Sequence, residues 1–289
     1  MPAPARLPAD WPHREHSRSV RVGALDWHVQ VMGRGPTLLL LHGSGASAHS
    51  WADLMEMLAG HATVVAPDLP GHAFTTGATP ADLTLPGMKD ALAGLLAALK
   101  LPAPVLVAGH SAGAALALRW ALSAPHPPGA VVGFNPSLVA PAEVYTQWLA
   151  PLVNPVATSA PVAQLLAALA VRTGMVDGLL NSTQSVLPAV QRERYRQLFS
   201  RPDHVRGAMS FMAAADLPAL LADGARLPGK AHFIVGTRDA WVPEASLRPV
   251  IDRHFPQARV ERWVGGHVLH EEMPAKSASL LIGVLEAQR

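Results

Sequence analysis

No cysteine occurs anywhere in the chain. That excludes disulfides, thiol nucleophiles, thiolate zinc sites and cysteine-ligated clusters together, and leaves the redox compartment unreadable. Charge is also scarce: charged residues make up 15% against 49% hydrophobic ones. Intrinsic disorder is therefore excluded, because disordered chains combine low hydrophobicity with high net charge. Nor does either sign dominate. Lys and Arg number 23 and Asp and Glu 21, a formal charge of +2, and the pI of about 9.3 does not amount to the basic field of a nucleic-acid binder. Long hydrophobic runs are missing as well. The longest, residues 91–99 and 162–171, fall well short of the roughly 20 residues of a membrane-spanning helix. The first twenty residues have no apolar core and do not read as a signal peptide. A cytoplasmic protein is expected, with the positive mean hydropathy of +0.21 leaving room for peripheral membrane contact.

What is present is alternation. Residues 27–31, 37–41, 63–66, 105–108 and 130–134 read as short apolar strands, and residues 50–58, 88–99 and 112–123 between them as helices. Continuous apolar strands separated by helices imply a parallel sheet covered on both faces, and the handedness of crossovers makes it doubly wound. The rhythm stops after Asn135 and resumes at residues 232–235, 245–254, 260–263 and 275–287. Between them, Pro141, Pro151, Pro155, Pro161, Pro188, Pro202 and Pro218 cut a strandless stretch into short helices. The expected organisation is an α/β core in two parts, residues 1–136 and 228–289, interrupted by a helical cap at 137–227. Such a cap would lie over the carboxyl edge of the strands, where open α/β sheets bind ligands.

Gly109-His110-Ser111-Ala112-Gly113 is a G-x-S-x-G placed between an apolar strand and a helix, the context a nucleophile elbow requires. Small residues flank the serine because the turn is sharp, and Ser111 would stand at the positive end of a helix dipole. A serine nucleophile needs a base, and the base an orienting acid. Asp239 ends the loop after strand 232–235, and His267 follows Gly265-Gly266 after strand 260–263. His270 is the rival base, with Glu271 and Glu272 expected to cap a helix or pair locally. The oxyanion donors are expected to be the amides of Ala112 and of Ser44, the latter in the glycine-broken loop Leu41-His42-Gly43-Ser44-Gly45. His42 is read as a loop-ordering residue and Asp68 as a structural turn acid. His13 and His16 lack a third ligand in register, so no metal is expected, and the chemistry calls for no organic cofactor. Arg192, Arg194, Arg196, Arg201 and Arg206 read most simply as a solvated helical face, with a clamp for substrate carboxylates as the sharper alternative. Met209, Phe211 and Met212 would serve either a pocket wall or the ordinary core.

The pieces LLLLHGSGAS, VVAPDLPGH, VLVAGHSAG, FIVGTRDAWVP and VGGHVLHEEMP, in this order and spacing, resemble the α/β-hydrolase superfamily over roughly residues 18–289. Ser111 sets the chain apart from branches that use an aspartate at the elbow, and Ala73 stands where a second glycine is commoner. More narrowly, Asp10-Trp11-Pro12-His13-Arg14-Glu15, Leu25-Asp26-Trp27-His28-Val29-Gln30, HGSGASAHSW and GHSAGAALAL resemble the magnesium chelatase accessory subfamily of bacteriochlorophyll biosynthesis in photosynthetic bacteria. The resemblance implies a role near magnesium insertion into protoporphyrin IX, with a tetrapyrrole as candidate ligand and magnesium chelatase subunits as candidate partners. Three readings follow: a serine hydrolase of a bulky hydrophobic ester, a non-catalytic porphyrin-binding or chelatase accessory protein, and a carbon–carbon bond hydrolase or cofactor-free haloperoxidase on the same residues.

Overall fold

The computed structural model describes residues 7–139 and 159–288. Eight strands form one sheet: β1 (Ser17–Val22), β2 (Leu25–Met32), β3 (Thr37–Leu41), β4 (Thr63–Pro67), β5 (Leu106–His110), β6 (Ala130–Phe134), β7 (Lys230–Gly236) and β8 (Arg259–Trp263). Their spatial order is β1-β2-β4-β3-β5-β6-β7-β8. From β4 to β8 every pairing is parallel, whereas β1–β2 and β2–β4 are antiparallel. β1 is not apparent in the sequence because Ser-Arg-Ser-Val-Arg-Val carries little apolar surface, as befits an edge strand that turns one face to water.

The helices are α1 (Ala52–Leu58), α2 (Leu85–Ala98), α3 (Ala112–Ser123), α4 (Ala160–Arg172), α5 (Met175–Ser182), α6 (Ala189–Phe199), α7 (Pro202–Ala214), α8 (Leu217–Ala222), α9 (Glu244–His254), α10 (Leu269–Glu272) and α11 (Pro274–Glu286). Side chains alternate across a strand, so each central strand feeds two cores. Leu39, Leu41, Val65, Val107, Val131, Phe233 and Val235 pack with α2, α3 and α9 on one face. Leu38, Leu40, Val64, Leu106, Val132, Phe134 and Ile234 pack with α1 and α11 on the other. Both faces of β3, β5 and β6 are buried throughout, which is why these strands read as unbroken apolar runs. Helices α4 to α8 all fall between β6 and β7 in the chain. The first part of the expected helical insertion, with Pro141, Pro151 and Pro155, lies outside the described residues.

Candidate active site

Ser111 sits between β5 and α3 with φ 52° and ψ −118°, a backbone conformation that costs a non-glycine residue on the order of 1–3 kcal/mol and recurs at functional sites. The strain is possible because its neighbours lack side chains. A Cβ on Gly109 would stand 2.3 Å from the carbonyl oxygen of Gly113, and one on Gly113 would stand 2.2 Å from that of Leu41. The main chain after the serine turns at once into a twelve-residue helix, whose first N–H groups have no intrahelical acceptor. Ala112 supplies the first of them.

Ser111, His267 and Asp239, read from three separate strand ends, meet in space. The Oγ of Ser111 lies 3.0 Å from Nε2 of His267, and Nδ1 of the same ring lies 2.8 Å from Oδ2 of Asp239. A carboxylate only accepts, so Nδ1 carries the ring proton and Nε2 is free to accept from the serine hydroxyl. The other oxygen of Asp239 accepts from the N–H groups of Trp241 at 2.8 Å and Val242 at 2.9 Å. The carboxylate is therefore held at both ends in a buried position. Trp241 lies with its ring centre 5.2 Å from that of His267, and the N–H of His267 donates to the carbonyl of Thr183, which follows α5.

The loop after β3 closes on the same point. Ala46 N–H donates to the Gly43 carbonyl in a tight turn, and the Ser44 hydroxyl donates to the Ala208 carbonyl on α7 at 2.7 Å. Ser44 and Ala112 line one cavity with Ser111 and His267. His42 accepts from the Leu69 N–H through Nε2 and donates through Nδ1 to the Gly43 carbonyl, tying the loop to the segment after β4. Burial holds its ring below the ordinary histidine pKa in spite of Asp68. Asp68 is fully buried and accepts from His28 Nδ1, the Ala48 N–H and the Phe74 N–H. Burial alone would raise its pKa, but His28, His42 and the Ala48 N–H bring it down to about 2.

His270 does not compete for the base position. It is fully buried against Trp51 and His110, neither ring nitrogen has a hydrogen-bond partner, and burial pushes its pKa down to about 3. The two acids beside it reach much further than helix capping or local pairing. Glu271 accepts from the Tyr195 hydroxyl of α6 at 2.6 Å. Glu272 accepts from the N–H of Gly266 at 2.6 Å, the N–H of Val186 at 3.1 Å and Arg238 at 3.0 Å, so it orders the turn that presents His267. Sequence reasoning also missed Asn135. Its amide nitrogen donates to the carbonyls of Gly266 and His267, each at 2.8 Å, and its oxygen accepts from the Gly236 N–H at 2.6 Å. The abrupt end of the strand rhythm at Asn135 was the one available signal.

The cavity over Ser111 has a volume of about 590 Å³. Leu138 and Trp241 come from the core side; Leu179 and Leu180 of α5, Phe199 of α6, Phe211 and Met212 of α7 and Leu217 of α8 complete it. Among the described residues that line it, none is Lys, Arg, Asp or Glu. Residues 140–158, which follow Val139 at its wall, contain no Lys, Arg or His in sequence. No described arginine therefore clamps a carboxylate in this cavity. Arg192 and Arg196 both bind Asp177, Arg206 pairs with Asp203 on the surface, and Arg201 lies over the Phe74 ring. They were legible as a basic stretch, but only the fold assigns α5's Asp177 to two of them. His13, one of the two amino-terminal histidines, lies 2.9 Å through Nε2 from the Ala52 carbonyl.

The chain as a whole has counterparts among known proteins. The model of the alpha/beta hydrolase family matches residues 38–280. Over 288 residues, 98% of this chain and 99% of the other, the sequence is 35% identical to the magnesium-chelatase 30 kDa subunit of Rhodobacter capsulatus. It is 32% identical, over 80% of this chain and 89% of the other, to the pimeloyl-[acyl-carrier protein] methyl ester esterase of Chromobacterium violaceum. The crystal structure of the enol-lactonase from Burkholderia xenovorans LB400 superposes with a TM-score of 0.73 at 20% identity, covering 93% of this chain and all of that one. At that identity the likeness speaks for the fold alone.

Proposed function

This chain belongs to the alpha/beta hydrolase family, and we propose that it is a serine-dependent hydrolase of a bulky, uncharged, ester-like substrate. The observation that carries this reading is the 3.0 Å contact between Ser111 Oγ and His267 Nε2, with Asp239 on the far side of the ring. His267 takes the Ser111 proton as Oγ attacks the substrate carbonyl, and Asp239 holds the imidazole in the required tautomer and stabilises the imidazolium. The Ala112 and Ser44 amides receive the oxyanion, a contribution that strengthens only as charge develops. His267 then protonates the departing alcohol. A water deprotonated by His267 attacks the acyl-enzyme and returns Ser111 to its starting state.

Helices α4 to α8 act as the cap in this reading, and their lining sets the substrate. An uncharged body gains roughly 25 cal/mol for each Å² of apolar surface it buries. A free carboxylate inside would stand unpaired, at a cost of several kcal/mol. The 35% identity to a magnesium-chelatase subunit makes a tetrapyrrole ester the candidate we carry, with chelatase subunits as partners. The same relative favours a second reading, in which the protein binds a tetrapyrrole or the chelatase and leaves its serine unused. A fluorophosphonate probe separates the two: labelling of the wild type that disappears in Ser111→Ala supports the hydrolase, and an unlabelled wild type rejects it. Turnover of p-nitrophenyl hexanoate well above that of p-nitrophenyl hemiadipate tests the requirement for an uncharged acyl chain.

A further inference from the structure

A second cavity, of about 660 Å³, lies between the loop after β4 and the face of α7 opposite the one that meets the active-site cavity. Ser210, Ala213 and Ala214 of α7 look into this groove, while Phe211 and Met212 look into the other. Its remaining apolar wall comes from Ala73, Ala78 and Leu83. Two arginines and one carboxylate, Asp203, line it. Arg206 is about half exposed and shares a surface pair with Asp203, whose own side chain is 88% exposed. Arg201 is different. Its guanidinium carbon stands 4.9 Å from the centre of the Phe74 ring, and its Nε is buried with no hydrogen-bond partner. Asp68 and Asp203 act on it only from a distance, and no carboxylate stands within ion-pair reach of it among the described residues.

A buried N–H left without an acceptor costs on the order of 1–3 kcal/mol; the ring beneath leaves Nε without one, and the terminal nitrogens of the partly buried side chain remain available to a ligand in the groove. Arginine's fork is matched by a planar carboxylate, which accepts two parallel hydrogen bonds. The short aliphatic wall beside it fits the hydrocarbon end of such an anion better than a fully hydrated one. We propose that this groove is a binding site for a carboxylate borne on an apolar body, with Arg201 as its principal ligand and Arg206 at its rim. The site is distinct from the cavity over Ser111, which has no cation to offer, and its occupancy does not depend on the hydrolase reading. The two are nevertheless joined through α7. His204 accepts from the Ala73 N–H at the groove and lies 3.2 Å from the Gly45 carbonyl in the loop beside Ser111.

Titration calorimetry with hexanoate tests the site in the intact protein. Saturable binding is expected, weakened about tenfold or more in Arg201→Ala, weakened less in Arg201→Lys, which keeps the charge over Phe74, and abolished in Ser210→Phe, which fills the groove. Leu221→Phe, at a position that lines the cavity over Ser111 and would narrow it, should leave it unchanged. Absence of saturable binding, or binding indifferent to Arg201→Ala, overturns the proposal. So does loss in Leu221→Phe with retention in Ser210→Phe. Inorganic phosphate binding as tightly as hexanoate would overturn the requirement for an apolar body. Circular dichroism of each variant at the titration temperature shows whether a loss reflects the groove or the fold.

Discussion

His110 donates its Nε2–H to the main-chain carbonyl of His267 at 2.8 Å. The residue before the candidate nucleophile thus holds the backbone of the candidate base, 157 positions away in the chain. The carbonyl only accepts, so the His110 proton is on Nε2 and its Nδ1 is bare, buried and unpartnered. Such a ring is stable only when neutral; burial, with His270 and His267 nearby, holds its pKa well below the ordinary value. Asn135 donates to the same His267 carbonyl. The candidate base is fixed from two strand ends.

Asn135→Ala should therefore damage turnover without emptying the site. Three hydrogen bonds disappear, and the Gly265-Gly266-His267 turn loses its tie to the strand that leads to Asp239. A misplacement of about 1 Å between reacting groups is worth roughly 100-fold in rate, so kcat should fall by about 10- to 100-fold with KM little changed. Asn135→Asp, although isosteric, should be no better, because its carboxylate would face two carbonyl oxygens. Steady-state hydrolysis of a p-nitrophenyl ester measures both. Wild-type kcat in either variant would remove Asn135 from the positioning of the base.

Ser111, Asp239 and His267 were legible in the sequence because each follows an apolar strand and sits beside glycine or a short loop, which are local signals. Helices α3 and α9 were legible for the same reason, their apolar spacing lying within one segment. What escaped was long-range. Asn135 and Glu272 act on the His267 turn through side chains whose partners no spacing rule connects, and Tyr195 meets Glu271 across 76 positions. β1 was hidden by its polar outer face, and the partners of Arg192 and Arg196 by the distance to Asp177. Local patterns mark where chemistry sits; the bonds that hold it there come from packing.

Asp68→Ala should be among the most destabilising single changes outside the core. The carboxylate is fully buried and collects His28, the Ala48 N–H and the Phe74 N–H, all of which would be left buried and unpaired. Loss of one partner from such a cluster costs about 3–5 kcal/mol. Because the folded-state pKa is depressed, this stability is present above the unfolded value near 3.8 and is lost as pH falls through about 2. Urea denaturation at pH 7 gives the difference directly, and a change below 1 kcal/mol would refute it.

Six fully buried histidines, His42, His49, His72, His110, His204 and His270, all have pKa values lowered chiefly by burial. They are neutral in the fold, yet each takes up a proton on unfolding below about pH 6.5. Their stability contribution is present above that value and is lost as pH falls. Each adds at most about 1.4 kcal/mol per pH unit, so together they set an upper bound of roughly 8 kcal/mol per unit. A typical domain stability of about 5–15 kcal/mol would be exhausted within about two units. Circular dichroism should show cooperative acid unfolding between about pH 4 and 5.5; a protein as stable at pH 4 as at pH 7 would contradict the assignment.

Glu271 has the opposite sign. It is buried with one oxygen accepting from Tyr195 and the other unpartnered. His270 Nε2 stands 4.0 Å away, and Asp53 and Arg194 act on it from further off. Burial is the main cause that pushes its pKa up to about 8. Between pH 4.5 and about 8 the fold holds a proton that the unfolded chain has released, so stability falls as pH rises through that window. Above pH 6.5 the buried histidines are neutral in both states, and Glu271 dominates the slope. Glu271→Gln keeps an acceptor for Tyr195 and cannot ionise. Its stability relative to wild type should therefore grow by on the order of 2 kcal/mol from pH 6.5 to 8. Paired urea titrations at the two pH values measure the change. An equal difference at both would mean that Glu271 is already ionised in the fold, and that the cluster behind Tyr195 carries a charge which burial has failed to suppress.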